Sequence, residues 1–345
     1  MSRTQTIWIG IGVVLLALSF FAQNLLPDYA VRVLTITCIN ALLVASMAPA
    51  NGMTGVFSLG HVGFVAVGAY AAGILSLPVA TKGSMLPDLP GWLTGWYLSF
   101  LPSTLVAGCV TAAVAIVVGA PLLRLSGHFV SVATLGFLVI VNEIVINADS
   151  LTRGARTFTG VPLETTLPWA LGWLVVGLIA LGRIASSPTG RAWRATREDV
   201  VAARAIGIET QPTRLSAFVL GAFFAGIGGA LYAHYLGSFS PKSFLFAYTF
   251  TLISMLVIGG MGSLSGAVLG TVVVTALSEV LRNLERGMDF GALSIPPLYG
   301  ASQIALGLLF IAIMILRPEG LLGPREIRFP NARSPKETTH DSAAP

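Results

Sequence analysis

The chain has 345 residues, 54% of them hydrophobic and only 10% charged, against roughly 25% charged in a soluble domain. A mean hydropathy of +0.82 and 38 glycines exclude an ordinary water-soluble enzyme, since glycine is more frequent in membrane helices than in soluble ones. The net charge of +5 does not require nucleic acid, because Lys and Arg held on one side of a membrane give the same balance.

At about 20 residues per span, the composition predicts an all-α polytopic membrane protein with about ten crossings and no room for a catalytic domain. The first apolar run, Ile7 to Leu26, is long enough to cross. It carries Phe21-Ala-Gln-Asn24 in place of a small-x-small cleavage pattern and reads as a retained helix, not a signal peptide. Further runs are Ala30 to Ala48, Val56 to Leu77, Leu98 to Leu122, Phe129 to Asn147, Leu167 to Gly182, Leu215 to Leu236, Ala247 to Leu281 and Ala301 to Leu316. The run from Ala247 is too long for one pass. Gly259, Gly260, Gly262, Ser263, Ser265 and Gly266 interrupt it, predicting a broken helix or hairpin that gives two passes. Cys38 and Cys109 both lie in apolar runs, so no disulfide framework is implied.

Basic residues set the expected orientation, because those flanking spans are retained in the cytoplasm. With the N-terminus inside, thirteen of the 20 are cytoplasmic: Arg3, Arg124, the group Arg183, Arg191, Arg194, Arg197, Arg204 and Arg214, and the tail group Arg317, Arg325, Arg328, Arg333 and Lys336. Arg32, Lys82, Arg153, Arg156, Lys242, Arg282 and Arg286 fall outside. Both termini are expected in the cytoplasm. Residues 1–323 form the expected membrane domain, and the tail from 324 to 345 has too few large apolar residues to bury a core and reads as disordered.

Two glycine-rich segments, Met53-Thr-Gly-Val-Phe-Ser-Leu-Gly60 and Met261-Gly-Ser-Leu-Ser-Gly266, look faintly alike. Paired segments of this kind mark either the halves of a repeat or a chance match. The longest hydrophilic stretch between spans is 186–213. After Pro188-Thr-Gly190 it predicts a helix with Arg194 and Glu198 spaced for pairing, Trp193, Val200, Ala203 and Ile206 as its apolar side, and Gly207 as its end. From these residues alone, a helix lying on anionic lipid and a helix docking a partner are equally supported.

The segment from Gly190 through Arg191, Arg194, Arg197, Glu198, Asp199, Ala202 and Ala203 to Gly207 resembles the cytoplasmic loop of permeases in branched-chain amino acid ABC importers. Asn51-Gly-Met-Thr-Gly-Val-Phe-Ser-Leu-Gly-His61 with Gly68-Ala-Tyr70 looks like that family's N-terminal signature. Ser131 to Leu135, Thr159-Gly-Val-Pro162, Ala225 to Leu231, Gly259-Gly-Met-Gly-Ser263 and Arg317-Pro-Glu-Gly-Leu-Leu-Gly323 match in order, to about Gly323. The likeness is nearest to the larger, LivM-type subunit. It implies a multi-pass protein of the bacterial inner membrane that pairs with a second homologous permease, two cytoplasmic ATPase subunits and a periplasmic binding protein. The 190–207 helix would be the coupling element. ATP and Mg would belong to the partner subunits, since the chain has no Gly-x-x-x-x-Gly-Lys-Ser/Thr loop to cradle phosphates; no cofactor is expected in the chain itself.

Three departures from the family pattern stand out. Val201 occupies the acidic position of the coupling pattern, with Glu198 and Asp199 one turn earlier; Val56 replaces a common Gln; and Arg153 and Arg156 alter the outer loop. Polar residues within spans are candidates for a substrate path, and here these are Ser58, His61, Thr134, Asn142 and Glu143. His61 reads first as a helix-packing hydrogen-bond donor, and Glu143 alternatively as a partner of Arg153 or Arg156. The histidines have no metal-ligand spacing and no hydrolase motif is present. Alternative functions are import of urea, a short amide or an aromatic carboxylate by the same family, or an ion-coupled carrier acting alone.

Overall fold

The computed structural model describes residues 16–125, 127–285, 288–290, 293–295, 300–317 and 319–323. The tail at 324–345 lies outside them. Helix α1 spans Leu16–Leu25. Next come α2 (Asp28–Met47), which runs on through a π-helical turn (Ala48–Met53), α3 (His61–Ser76), α4 (Val79–Met85), α5 (Gly91–Thr94), α6 (Phe100–Leu122), α7 (His128–Asn147) and α8 (Asp149–Thr152). The second half holds strand β1 (Phe158–Thr159), α9 (Leu167–Ser186), α10 (Pro188–Glu198), α11 (Val200–Ala205), α12 (Thr210–Leu236), β2 (Ser238–Phe239), a 3-10 turn (Pro241–Phe244), α13 (Phe246–Gly259), α14 (Leu264–Glu285), β3 (Met288–Phe290), β4 (Leu293–Ile295) and α15 (Ala301–Leu316).

Among the described residues seven helices are long and apolar enough to cross a membrane, and eight if α3 and α4, bent by 116°, count as one span. The described parts of α1 and α15 are shorter than a crossing, so the count of about ten is not reached. The chain is also not purely helical. β1 pairs with β2 and β3 with β4, both antiparallel. β1 and β2 tie two loops together, with Phe158 opposite Phe239.

Lipid offers no partner to a free backbone polar group, and the helices meet that demand internally. Ser and Thr on the spans do likewise: Thr104 Oγ1 donates to the Phe100 carbonyl and Thr111 Oγ1 to that of Ala107, each at 2.7 Å. Helices α2 and α12 form the centre. Their most apolar stretches are 72% and 67% buried, against 33% for α6, α7, α9 and α14. The peripheral helices turn large apolar side chains outward, among them Val117, Phe129, Val132 and Ile144, as surfaces facing lipid or another apolar chain do.

α12 packs on α6, α3 and α2, and its glycines set the distances. A methyl group on Gly226 would lie 2.4 Å from Thr111 Oγ1, one on Gly229 2.1 Å from the Val65 carbonyl oxygen, and one on Gly221 2.5 Å from that of Ser46. From the facing side, a methyl on Gly68 would meet Gly226 itself at 2.3 Å. Small residues permit such backbone approach, which drives helix association where lipid tails remove the hydrophobic driving force. The predicted break in the long run from Ala247 is present. α13 ends at Gly259, and a methyl there would lie 1.9 Å from the Gly266 carbonyl oxygen on α14.

Lys82, expected on an open outer loop, is buried, and its ammonium donates to the carbonyls of Leu93 and Trp96. It fastens the 86–99 segment to α4. Cys38 and Cys109 are free thiols.

Gly229→Val is expected to lower the melting temperature of the detergent-purified protein by several degrees, an overpacking cost of about 1–3 kcal/mol or more. Gly136→Ala, with open space around it, should leave melting unchanged or raise it slightly.

Candidate functional site

The hydrophilic loop does not form one helix. Asp199 is extended (φ −152°, ψ 117°) and divides it into α10 and α11. Its carboxylate accepts from the amides of Val201 at 2.7 Å and Ala202 at 3.1 Å, capping α11. The expected Arg194–Glu198 pair is not made, because Arg194 Nη1 donates instead to the Ala185 carbonyl at 3.0 Å. Gly190 sits on the same carbonyl, and a methyl there would lie 2.1 Å from it. These contacts fold the start of α10 back on the end of α9.

α10 is held to α12 by Trp193, fully buried, whose indole N–H donates to Ser216 Oγ at 2.9 Å. Arg214 Nη2 returns a bond to the Thr196 carbonyl. Ala203 is the buried face of α11, whereas Ala202, Val201 and Ile206 are exposed. Ile206 thus leaves the apolar side that periodicity assigned to it, because α11 ends at Ala205 and Ile206 is already its cap residue. Val201, in the first turn of α11, and Ile206, just past its end, are 76% and 74% exposed, and Glu198 and Arg204 are exposed as well. Arg191 is exposed as well. Gly207 closes α11 with φ +83° and has nothing within reach of an added methyl. Its requirement is conformational, not one of close approach to a neighbour.

One further contact ties this loop to the spans. Arg197 Nη1 donates to the Gly52 carbonyl at 2.7 Å, and its side chain packs on Gly55. Gly52 lies in the π-helical turn that ends α2, and a methyl on it would fall 1.6 Å from the carbonyl oxygen of Met261, in the turn between α13 and α14. The end of α13 is closed in turn by the segment after α15, where the amides of Leu321 and Leu322 donate to the carbonyls of Ile258 and Gly259. Gly52, the residue before the first of the two glycine-rich segments that look alike in sequence, therefore meets Met261, the first residue of the second. Gln211 Nε2 reaches the Ala120 carbonyl at the end of α6, so Arg124, the loop arginines and Arg317 all gather at one end of the bundle.

The polar residues within the spans divide into three groups. Asn51 brackets the backbone of Ser58, accepting from its amide at 3.2 Å and donating to its carbonyl at 3.3 Å. Thr134 Oγ1 accepts from the Leu59 amide at 3.0 Å and donates to the Ser131 carbonyl, while Ser131 Oγ donates to that of Phe57. These bonds fix the non-helical segment 54–60, and Ser58 Oγ is left buried without a partner. His61 Nε2 lies 2.8 Å from Ser46 Oγ, the packing contact expected of it. Asn142 stands apart, donating to the Pro241 carbonyl at 3.0 Å in a crevice with Tyr70 and Phe244 that is too narrow for water. Glu143 is exposed on α7, approached by Asn147 Nδ2 at 3.4 Å, whereas Arg153 bonds Thr157 and Thr159. The proposed ion pair is therefore not formed, and Glu143 is not brought together with Ser58, His61 and Thr134. Among the described residues no group of His, Cys, Asp and Glu is arranged to hold a metal ion.

Apolar helices around a glycine-rich centre, with an arginine-rich loop at one end, define a multi-pass membrane protein. The chain belongs to the family described as branched-chain amino acid transport system / permease component, which matches residues 29–316. It is similar to the high-affinity branched-chain amino acid transport system permease protein LivM of Escherichia coli K12, 29% identical over 90% of this chain and 74% of that one. LivH of the same strain, a permease protein of the high-affinity branched-chain amino acid transport system, is 23% identical over 83% of this chain and 92% of its own. The autoinducer 2 import system permease protein LsrC of Escherichia coli O9:H4 is 31% identical over 44% and 47%. No solved structure matches the chain.

Asp199→Ala should remove the α11 cap at a cost of about 1 kcal/mol. The expected readout is roughly fivefold faster hydrogen exchange at Val201 and Ala202, with α10 and the spans unchanged.

Proposed function

We propose that this permease component is one half of the translocation path of an ATP-driven importer for branched-chain or related amino acids. Its partners in this reading are a second homologous permease, two cytoplasmic ATPase subunits and a periplasmic binding protein. Both termini and the 186–213 loop face the cytoplasm. ATP hydrolysis, with its Mg, belongs to the ATPase subunits.

The observation that carries the reading is the Arg197 bond to the Gly52 carbonyl. α11 leaves the apolar side chains of Val201 and Ile206 exposed among charged residues, where a docking partner would cover them. A partner that shifts this surface would move Arg197, and with it the Gly52 turn that joins α2 to the 54–60 segment and contacts the α13–α14 turn. Gly190, Arg191, Arg194, Glu198, Asp199, Ala202, Ala203 and Gly207 shape or support the docking element. Ser58, His61, Thr134, Asn142 and Glu143 remain candidates for the path. Ser58, with its unpartnered hydroxyl, is best placed to exchange bonds. Against an ion-coupled carrier stands the absence of any buried Asp or Glu among the described residues, since coupling sites of that kind need intramembrane carboxylates. The resemblance to LsrC over less than half the chain keeps solutes other than Leu, Ile and Val within the tested set.

The test is uptake in proteoliposomes with the partner subunits and binding protein. Arg197→Ala should cut ATP-driven uptake of Leu, Ile or Val about tenfold or more while ATP hydrolysis continues, and Val201→Asp should weaken co-purification of the ATPase. Coupled uptake unaltered in both variants would refute the coupling role, and a binding protein with no affinity for these amino acids would refute the substrate.

For orientation, in a Cys38→Ser, Cys109→Ala background, the exposed position Thr157→Cys should react with an impermeant maleimide on intact cells. Thr189→Cys, also exposed, should react only after permeabilisation. The reverse pattern inverts the topology.

A further inference from the structure

At the end of the bundle away from the arginine-rich loop, a cavity of about 380 Å³ opens between α1, the start of α2, the start of α9 and the end of α12. It is lined by Gln23, Asn24, Arg32, Thr35, Thr165 and Tyr235 together with Val31, Thr166 and Leu167. The volume lies within the range of small-molecule sites, and Arg32 is the one charged group on the wall.

Three features point to an anion. Arg32 is exposed and makes no ion pair among the described residues. The cavity also receives the N-terminus of the 20-residue helix α9, whose first intrahelical bond runs from the Ala170 amide to the Thr166 carbonyl; the amides of Leu167 and Trp169 precede that bond, and Thr166 makes no capping bond. Thr165, on the wall, is more than nine-tenths buried and its hydroxyl has no partner, a costly state unless something bound supplies one. The wall is built: Tyr235 Oη donates to the Arg32 carbonyl at 3.1 Å, Thr35 Oγ1 to that of Val31 at 2.7 Å, and Leu16 packs on α9 at Gly172.

The depth of the cavity identifies the kind of anion. Tyr29, Trp92, Trp96, Tyr97 and Trp169 are exposed at this same end of the bundle, and such aromatic belts sit at the headgroup level of a bilayer. A cation beside the free amides of a helix N-terminus, at the level of the headgroups, suits the phosphate of a phospholipid. We propose that this cavity binds the phosphodiester headgroup of a membrane phospholipid. Arg32 and the α9 N-terminus hold the phosphate, Thr165 donates to an ester or phosphate oxygen, and the acyl chains run along the apolar outer faces of α1 and α9.

The experiment is native mass spectrometry of the full chain, with the subunits that co-purify, after delipidation and titration with dioleoylphosphatidylglycerol. One lipid per chain should bind in preference to dioleoylglycerol, which has the same acyl chains and no phosphate. Arg32→Gln should weaken binding about tenfold and Thr165→Val about fivefold, while Arg124→Gln, at the opposite end, should change nothing. Arg32→Lys keeps the charge and should retain most of the affinity; if Arg32→Gln does not fold, Arg32→Lys and Thr165→Val give the same reading. Equal binding of dioleoylglycerol, or unaltered binding in both Arg32→Gln and Thr165→Val, overturns the site. Displacement of the lipid by millimolar inorganic phosphate, with glycerol phosphate binding as tightly as the lipid, overturns the membrane source in favour of a soluble anion.

Discussion

Backbone meeting backbone along α12 is the constraint on which the arrangement of the other helices rests. In water a helix is held by burying its apolar stripe, but in lipid every face is equally apolar and that preference disappears. What remains is dispersion at short range, which falls off steeply with any gap. Gly221, Gly226 and Gly229 let α12 come close enough to α2, α6 and α3 for carbonyl oxygens to occupy the space where side chains would stand. Gly68 makes the same provision from α3. At Gly221, Gly229 and Gly68 the obstacle to a methyl is main chain, and at Gly226 it is the Thr111 side chain, itself bonded to the Ala107 carbonyl. Once these distances are fixed, α2 and α12 form the enclosed axis and the remaining spans take their places around it.

The same device recurs at the arginine-rich end, where it joins parts of the chain more than 200 residues apart. Gly52 on Met261, Gly259 on Gly266 and Gly320 on Gly260 are each glycine-to-backbone contacts, and the Leu321 and Leu322 amides take up carbonyls that α13 leaves free. Arg197 adds the one long side chain in this set. Its guanidinium reaches a carbonyl that the helix break at Gly52 has made available, so the break in α2 and the anchoring of α10 are two aspects of one arrangement.

Much of this was legible in the sequence. Continuous apolar runs located the spans, the glycine and serine cluster after Ile258 located the α13–α14 turn, and basic residues marked one end of the bundle. Hydropathy says little about what happens at helix ends, and the misses are concentrated there. The loop helix broke at Asp199 because a carboxylate that satisfies two amides competes well with continuing the helix. Gly207 proved to need its positive φ, which spacing cannot reveal. Lys82 and Glu143 exchanged their expected environments, the lysine buried against main-chain carbonyls and the glutamate exposed, because a charge in sequence does not disclose which carbonyls the fold will bring near it. Thr134 read as a polar residue facing a path. Its hydroxyl also accepts from the Leu59 amide, 75 residues away, and donates to the Ser131 carbonyl on its own helix, contacts that polarity alone does not disclose.

The pairing of β1 with β2 has a mechanical consequence. Loops that enter opposite sides of a bundle ordinarily move independently, but here main-chain bonds between Phe158–Thr159 and Ser238–Phe239, continued by Val161 to Gly237, join the loop before α9 to the loop after α12. Phe158, Phe239, Phe244 and Tyr70 interlock beneath them with ring centroids 5.0 to 6.4 Å apart. Force applied to either loop is therefore shared by both and delivered to α3 through the Tyr70 ring. A body resting on this face would press on a single stiff plate, not on two loose flaps.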